Sequence, residues 1–243
     1  MFDIHSHIIY GVDDGAQSLE EAVKIVENAV LHGTKGLAAT PHTNVPGSFE
    51  NFWGPELLER VKALRSALKE NYIDVQIFCG QEIFCTSQAI DYLKSGKVIT
   101  LNNSRYPLVE FDFYEYSDSV YSKLEKIISE GYVPVVAHPE RYAFVSEDEN
   151  AAIKLKKLGC LLQVNKGSLT GSFGENAFYA SRRLLEERLA DVIASDAHSP
   201  YIRTTNLIHA HELVSEEYSP DYADVLFEIN PKMILQNREI INY

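Results

Sequence analysis

Two histidines lie two residues apart close to the beginning of the sequence, inside the apolar stretch 2–8. Side chains on a β-strand alternate between its two faces, so His5 and His7 are predicted to point in the same direction. Two imidazoles on one face can provide half of the ligands of a metal ion. We therefore expect residues from other parts of the chain to provide the remaining ligands.

Histidines and acidic residues also occur where later apolar stretches end. They are His42, Glu82, Glu110, His138, Asp196 and His198. Any one of them alone is more often an ordinary polar or helix-capping residue than a metal ligand. Burying all of them together without counter-ions would be very costly, whereas divalent cations would neutralise the acids. Histidine and carboxylate ligands without thiolates suit zinc, manganese or iron better than calcium, and we expect Mn²⁺.

The elements that must position these residues follow from alternating apolar and amphipathic stretches. Short apolar stretches predict strands at residues 2–8, 36–41, 74–83, 106–111, 133–138, 160–165 and 190–195. Amphipathic stretches between them predict helices from residue 18, over 55–70, 117–130, 146–158, 175–189 and 204–216, and after 230–231. Strands that alternate with helices in this way are typical of a mostly parallel sheet.

Several helix ends carry recognisable sequence signals. The segments 18–21 and 146–149 match the capping-box pattern, in which a serine precedes a glutamate by three positions. Pro55 suits the first turn of the second helix, because proline lacks the amide hydrogen that this turn leaves unpaired. Gly159 suits the C-cap of the helix that ends near Leu158.

Two architectures are compatible with this alternation. An α/β barrel is the first expectation, because the carboxyl ends of barrel strands meet at one mouth, where polar residues would converge. An open, doubly wound sheet is the second. The 243 residues contain no short-period repeat, low-complexity tract or linker, so we expect residues 1–243 to form a single domain.

Composition limits the classes of partner. The formal net charge of −13 argues against nucleic acid, since nucleic-acid binding relies on Lys and Arg to neutralise phosphates. No apolar run approaches the roughly 18 residues of a membrane span, and the N-terminus lacks the pattern of a secretory signal. We therefore expect no direct insertion into a membrane. The sequence contains no indication of an oligomeric state.

The cysteines predict a cytoplasmic protein without a thiol nucleophile. Cys79, Cys85 and Cys160 lack Cys-x-x-Cys spacing, which suggests reduced and mostly buried thiols. Phosphatases that use a cysteine nucleophile need an arginine six positions after it. Those positions hold Cys85, Asp91 and Lys166, so this mechanism is disfavoured.

Six motifs together resemble a known family. In chain order they are Asp3-Ile-His-Ser-His7 followed by Gly11-Val-Asp-Asp-Gly15, Ala39-Thr-Pro-His42, Gln81-Glu82, Val109-Glu-Phe111, Ala137-His-Pro-Glu-Arg-Tyr142 and Ala194-Ser-Asp-Ala-His198. A single His-x-His would be weak support, but the ordered set covers nearly the whole chain. It resembles the PHP-superfamily metallohydrolases, and specifically the tyrosine-protein phosphatases of bacterial capsule and exopolysaccharide systems. The resemblance implies a distorted, TIM-like (β/α)7 barrel.

The resemblance also implies three divalent ions, most simply Mn²⁺, with Fe or Zn as alternatives. The ligands of the first ion would be His5, His7, Glu82 and Asp196. Glu82 would bridge to a second ion held by Glu110 and His138. The ligands of the third ion would be Asp14, His42 and His198. Arg141 would contact the substrate phosphate, and Asp14 and His42 would also act in catalysis. The alternative for Arg141 is a surface ion pair with Glu140 or Glu147.

The activity implied by the resemblance is hydrolysis of phosphotyrosine by metal-activated hydroxide. The implied substrate is the tyrosine-rich cytoplasmic tail of a membrane-bound bacterial tyrosine kinase that regulates capsular or exopolysaccharide synthesis. Two alternatives remain: a phosphatase of a small phosphomonoester such as histidinol phosphate, and a non-catalytic, metal-stabilised regulator that binds a phosphoprotein. Thr43 departs from many members, which carry a second histidine there, and we expect this to alter the rim of the cleft without removing a ligand. The loop 43–53 is also expected to be individual. Lys166 is expected to be solvated.

Overall fold

Nine parallel strand segments form the wall of a barrel. The computed structural model describes residues 1–243, and its strands are β1 (Phe2–Ser6), β2 (Gly36–Ala39), β3 (His42–Thr43), β4 (Gln76–Cys79), β5 (Glu82–Phe84), β6 (Leu108–Glu110), β7 (Val135–Ala137), β8 (Leu161–Asn165) and β9 (Val192–Ala194). They pair in the orders β1-β2-β4 and β3-β5-β6-β7-β8-β9, and every pair is parallel. The predicted parallel sheet is confirmed.

The first and last strands close the barrel. The amide of Asp196 donates to the carbonyl of His5 at 2.9 Å, and the amide of His7 donates to the carbonyl of Ala197 at 2.8 Å. Ser6 and Ala197 also form a parallel bridge. An open, doubly wound sheet would have two free edges instead, so the barrel prediction is correct and the alternative is excluded.

Two of the seven predicted strands are interrupted, at Pro41 and at Gly80. Pro41 has no amide hydrogen to offer to the ladder, and it separates β2 from β3. Hydrogen bonds nevertheless continue across both interruptions, from Gly80 N to Ala39 O at 3.0 Å and from Glu82 N to Pro41 O at 3.1 Å. The nine segments therefore make seven continuous strands around the barrel, the number implied by the family resemblance.

Helices cover the outside of the barrel. They are α1 (Leu19–Leu31), α2 (Pro55–Glu70), α3 (Ala89–Ser95), α4 (Ser117–Ser129), α5 (Ala143–Glu147), α6 (Glu149–Leu158), α7 (Lys166–Leu169), α8 (Glu175–Glu186), α9 (Ile208–Glu217), α10 (Pro220–Asp224) and α11 (Asn230–Leu235). Single 3₁₀ turns cover Leu101–Asn103 and Pro139–Arg141, and a π-helical turn, Val225–Ile229, joins α10 to α11. No helix is long and apolar enough to cross a membrane.

Most predicted helix ends are close to the observed ones, with two exceptions. Ser18 caps α1 by accepting from the amide of Glu21. The predicted capping box at 146–149 is wrong, because Ser146 lies inside α5 and its hydroxyl donates to a carbonyl within that helix. Asp148 caps α6 instead, accepting from the amide of Asn150. The helix predicted over 204–216 begins only at Ile208, since the preceding residues form a loop.

The alternation of side chains along the strands creates two apolar layers. Val136 and Ile193 face the helices and belong to the largest buried cluster, while their neighbours Val135 and Val192 face the barrel interior with a second cluster. Both faces of the sheet are therefore covered, as the continuously apolar strands indicated. All three cysteines are free. Burial raises the pKa of the Cys85 and Cys160 thiols to about 12, which makes them poor nucleophiles.

Candidate metal centre

The nine predicted metal ligands meet at the carboxyl end of the barrel. Each lies on a strand or in the loop that follows it, and together they border a cavity of about 270 Å³ or lie at its floor. Three groups of residues could each hold an ion, because the potential ligand atoms inside each group lie within 4.8 Å of one another. The groups are His5, His7 and Asp196; His42, Glu82 and Glu110; and His7, Asp14, His42 and His198. His138 joins them, with Nε2 2.9 Å from Oε1 of Glu82. Residues separated by nearly two hundred positions thus share one site.

The predicted ligands of the first ion lie around the Nε2 atoms of two imidazoles. His5 Nε2 and His7 Nε2 lie 3.3 Å apart, and they lie 3.2 and 3.3 Å from Oε2 of Glu82. Both nitrogens lie 3.5 Å from Oδ1 of Asp196. Each imidazole nitrogen therefore lies close to both carboxylates, which makes these four residues candidate ligands of one ion.

Glu82 connects this group to a second one. Its Oε1 faces His138, while its Oε2 lies 3.0 Å from Nδ1 of His42. The same nitrogen of His42 lies 2.9 Å from Oε1 of Glu110. The other oxygen of Glu110, Oε2, lies 3.9 Å from Nε2 of His138. The predicted second group therefore assembles, but it also includes His42, which the resemblance assigned only to the third ion.

The third group is the most accessible. Oδ1 of Asp14 lies 3.5 Å from Nε2 of His42 and 3.3 Å from Nε2 of His198. The side chain of Asp14 is 53% exposed and that of His42 is 17% exposed, whereas the other predicted ligands are buried. This part of the cluster is consequently the part that a substrate reaches first.

The donor set fits divalent cations better than protons. Glu82 Oε2, His42 Nδ1 and His198 Nε2 are buried atoms without a well-aligned hydrogen-bond partner. Burial alone would lower the pKa of His42, but the carboxylates of Glu82 and Glu110 raise it to about 10. Burial and the neighbouring Glu82 raise the pKa of Glu110. In the absence of cations the cluster would thus hold extra protons to limit repulsion between its acids.

Hydrogen bonds behind the predicted ligands fix their orientation, and sequence reasoning missed these partners. Nδ1 of His5 lies 2.7 Å from Oε1 of Gln163, and Nδ1 of His7 lies 2.8 Å from Oδ2 of Asp13. Each contact directs Nε2 of the imidazole towards the cluster, as in known carboxylate–histidine–metal arrangements. Their only sequence signal is position: Gln163 lies on β8, and Asp13 precedes Asp14.

Two arginines lie at one wall of the cavity. The guanidinium of Arg141 lies between the rings of Phe113 and Phe173, 4.4 and 4.5 Å from their centres. Its Nη1 lies 3.6 Å from Oδ2 of Asp196, so the alternative of a surface pair with a neighbouring glutamate is wrong. Arg203, which sequence reasoning missed, lies 2.6 Å from the same oxygen. Both can present hydrogen-bond donors to an anion above the cluster.

Aromatic side chains form part of the cavity rim. The ring of Phe49 stacks on His42 with their centres 5.7 Å apart. Trp53, in contrast, does not border the cavity and packs against the cluster formed by α1 and α2. Thr43 is buried and donates to the carbonyl of Glu50, so it anchors the loop 43–53. Phe113, which follows β6, also borders the cavity and packs on Arg141.

Comparison with known proteins agrees with this geometry. The model of the capsular polysaccharide synthesis family CpsB/CapC matches residues 1–236. The chain belongs to this family. Within the CpsB/CapC family, the chain is 33% identical to the tyrosine-protein phosphatase CpsB of Streptococcus pneumoniae, with 99% of this chain and 100% of the relative covered. It is 31% identical to the tyrosine-protein phosphatase YwqE of Bacillus subtilis, with 99% and 93% covered.

Solved structures give the same relationship. A structure from work on YwqE of Bacillus subtilis and CpsB of Streptococcus pneumoniae, described as unique metal-dependent tyrosine phosphatases, matches with a TM-score of 0.92 and 30% identity. It covers 100% of this chain and 97% of the other. Histidinol phosphate phosphatase of Lactococcus lactis matches with a TM-score of 0.56 and 14% identity, covering 93% and 96%, which is a similarity of fold alone. The barrel of the CpsB/CapC family is therefore shared by this chain over its full length.

Proposed function

We propose that this chain is a metal-dependent protein-tyrosine phosphatase formed by residues 1–243. The observation that carries the proposal is the convergence of nine potential metal ligands beside two arginines, in a member of the CpsB/CapC family. Divalent cations would hold the acids together, and the arginines would hold the phosphate. The relatives named above are tyrosine-protein phosphatases, which makes an aryl phosphate the substrate class to test first.

Three ions, most simply Mn²⁺, would fit the site. The two oxygens of Glu82 face different groups, since Oε2 lies near His5 and His7 and Oε1 near His138, and this supports neighbouring ions rather than a single one. When bound, such ions supply an activated water near neutral pH and polarise the phosphoryl oxygens. Three divalent ions would also outweigh the charge of the four carboxylates, which makes the pocket of an acidic protein attractive to phosphate.

The arginines would orient the phosphoryl group. Both guanidinium groups already lie against Asp196, and the rings of Phe113 and Phe173 restrict the motion of Arg141. A phosphate above the cluster would receive parallel N–H donors from a group that is already in position. Charge on the phosphoryl oxygens would be stabilised by donors that need little rearrangement.

The leaving group would depart on the side of Asp14 and His42. These are the most exposed of the predicted ligands, and His42 stacks on Phe49, which offers a surface for an aromatic ring. Tyrosinate has a pKa of about 10, so it leaves more readily than an alkoxide and needs less help from a general acid. The proposed roles of Asp14 and His42 in catalysis follow from this position.

The proposed physiological substrate is a phosphotyrosine-bearing protein. In keeping with the family's connection to capsular polysaccharide synthesis, we propose the tyrosine-rich tail of a membrane-bound tyrosine kinase, dephosphorylated in the cytoplasm. The net charge of −13 supports a protein rather than a nucleic acid as the partner. The half-exposed Asp14 supports access by a residue on a flexible segment.

The test is hydrolysis of phosphotyrosine peptide, phosphoserine peptide and histidinol phosphate by metal-loaded protein. We expect the phosphotyrosine peptide to be hydrolysed fastest and a chelator to abolish the activity. His5→Ala or His138→Ala should remove the activity while the circular-dichroism spectrum is kept, whereas His32→Ala, outside the site, should not. Faster hydrolysis of histidinol phosphate would favour a small-molecule phosphatase. Activity that survives both the chelator and the two site variants would refute metal-dependent catalysis here.

A further inference from the structure

A second cavity lies beside the metal centre. It has a volume of about 490 Å³ and is formed by the segments that follow β8 and β9. Arg203 borders both cavities, and Phe173, which packs on Arg141, borders the second one. A ligand that occupies the metal cavity could therefore extend into this one without leaving the surface.

The lining of the second cavity is basic although the protein is acidic. It includes Lys166, Arg203 and His209, and it includes neither Asp nor Glu. Hydroxyl groups complete the polar part of the lining and come from Thr170, Ser172, Ser195 and Thr204. Arg203 is paired with Asp196 outside the lining, so Lys166 is the cation of the lining that has no carboxylate partner. This combination of cations and hydroxyls suits an anionic group.

Lys166 is the decisive residue in this cavity. Its ammonium donates to the carbonyl of Asn206 at 2.8 Å and to the hydroxyl of Thr204 at 3.4 Å, but it forms no ion pair. Burial lowers the pKa of Lys166 to about 8, although the fully buried Asp3 acts in the opposite direction. Lys166 is partly buried, so the expectation of a solvated Lys166 is wrong, and its charge lacks a carboxylate partner within ion-pair distance.

We propose that this second cavity binds an anionic side chain of the substrate peptide, close to the phosphotyrosine. The proposal rests on the proposed phosphatase function and adds a peptide specificity to it. A carboxylate or a second phosphate would complete the hydrogen bonds of Lys166 and restore charge balance around it. Tyr201 and Ile202, which are 76% and 77% exposed, offer apolar surface at the edge of the cavity for the intervening peptide.

The experiment compares peptides that differ at one position near the phosphotyrosine. Each neighbouring position carries, in turn, Glu, Gln or a second phosphotyrosine, and KM and kcat are measured with Mn²⁺-loaded protein. We expect an anion at one of these positions to lower KM about tenfold relative to Gln, the value of a partly exposed charge-assisted hydrogen bond. Preference for Glu identifies a carboxylate ligand, and preference for the second phosphotyrosine alone identifies a phosphate.

Variants assign the effect to the cavity. Lys166→Met keeps the length of the side chain and should abolish the preference without changing kcat/KM for p-nitrophenyl phosphate, which is too small to reach Lys166. Ser172→Glu, at an exposed position, places a carboxylate on the cavity wall and should abolish the preference as well. The control Lys62→Met removes an equivalent charge from the surface of α2 and should leave the preference intact.

Two results would overturn the proposal. The first is a wild-type protein that makes no distinction between the anionic and Gln peptides. The second is a preference that persists in both Lys166→Met and Ser172→Glu. Failure to hydrolyse any aryl phosphate would instead refute the proposed function. In that case the dissociation constants of the same fluorescently labelled peptides, measured by anisotropy, decide whether the anion site exists.

Discussion

Asp13→Asn is the substitution that most directly tests how the metal centre is organised. The Asp13 carboxylate accepts from His7 Nδ1 at 2.8 Å, from the amide of His42 at 3.0 Å and from the amide of Gly15 at 3.0 Å. Oδ2 of Asp13 accepts from both His7 and the His42 amide, whereas Oδ1 accepts from the Gly15 amide. Asparagine has the same shape but only one acceptor oxygen, so its NH2 group faces either the Gly15 amide or His7 together with the His42 amide. The backbone donors cannot change, whereas the imidazole of His7 can move its proton to Nε2.

That proton would lie on the atom that faces Glu82 and Asp196, and it would remove the lone pair that a metal ion needs. Loss of such an outer partner typically weakens metal binding 10- to 100-fold, which corresponds to about 1.4–2.8 kcal/mol. We expect the upper half of this range, because the His7–Asp13 contact is fully buried. The backbone of Gly15 also packs closely against His7, since a Cβ there would lie 2.3 Å from the carbonyl oxygen of His7.

The assay is the concentration of Mn²⁺ that gives half-maximal hydrolysis of an aryl phosphate. Asp112→Asn is the matched control, because it makes the same change at an exposed residue of the cavity rim. We expect a shift of about 30- to 100-fold for Asp13→Asn and less than about twofold for the control. Equal metal dependence of Asp13→Asn and the wild type would refute the role of Asp13. An equal shift in both variants would show that only net charge matters.

Three further results are expected. Arg141→Ala should lower kcat about 10²- to 10³-fold without loss of bound metal, and Arg203→Ala should do the same if both arginines hold phosphate; metal analysis that shows lost ions would make them structural. The apparent affinity for Mn²⁺ should increase from about pH 6 to about pH 8. Without the ion the pKa of His42 is about 10, so binding must displace a proton from its imidazole, and this becomes easier as the pH rises. A pH-independent affinity would contradict this. Finally, the folded-state pKa of Lys166 is about 8, below its unfolded value of 10.5, so its contribution to the free energy of unfolding rises between these pH values. The stability advantage of Lys166→Met over the wild type should therefore shrink by up to about 1.4 kcal/mol per pH unit in this window, and urea denaturation that gives a constant difference would contradict the burial of the charge.

The barrel and the predicted ligands were accessible from the sequence for a simple geometric reason. Parallel strands end at the same edge of a sheet, so the positions of His138 and Asp196 directly after apolar stretches predict that they meet. No knowledge of helix packing is required for that step. The same reasoning indicated which face of the first strand carries His5 and His7, because the period of a strand is two.

The supporting residues could not be recognised in this way. Gln163 and Asn165 occupy alternate positions on β8, and the Asn165 amide donates to Asp196 at 2.6 Å. Amide side chains are common on strands without any role, so their types alone indicate nothing. Arg203 lies in a loop whose backbone has a φ of 50° at that residue, and no periodic pattern predicts the direction of a side chain there.

The predicted start of one helix was wrong because two possible capping residues lie close together. Both Ser146 and Asp148 can cap a helix, and the capping-box pattern favoured the serine. The short helix α5 occupies the segment that contains Ser146, because it follows directly on the turn that presents Arg141. The capping-box pattern alone therefore predicted the wrong cap, Ser146 instead of Asp148. The interruptions at Pro41 and Gly80 are similar, since the ladder continues across them and only the regular strand geometry is lost.

The closure of the barrel also has a consequence for synthesis of the protein. The amide of Ser195 donates to the carboxylate of Asp3 across a separation of 192 residues, next to the bonds that join the first and last strands. A nascent chain must therefore emerge from the ribosome almost to its end before His5 and His198 can become neighbours. Since translation adds about 5–20 residues per second, His5 is synthesised roughly ten seconds or more before His198. The two groups of potential ligands that include Asp196 or His198 can therefore be completed only after the last strand has been translated.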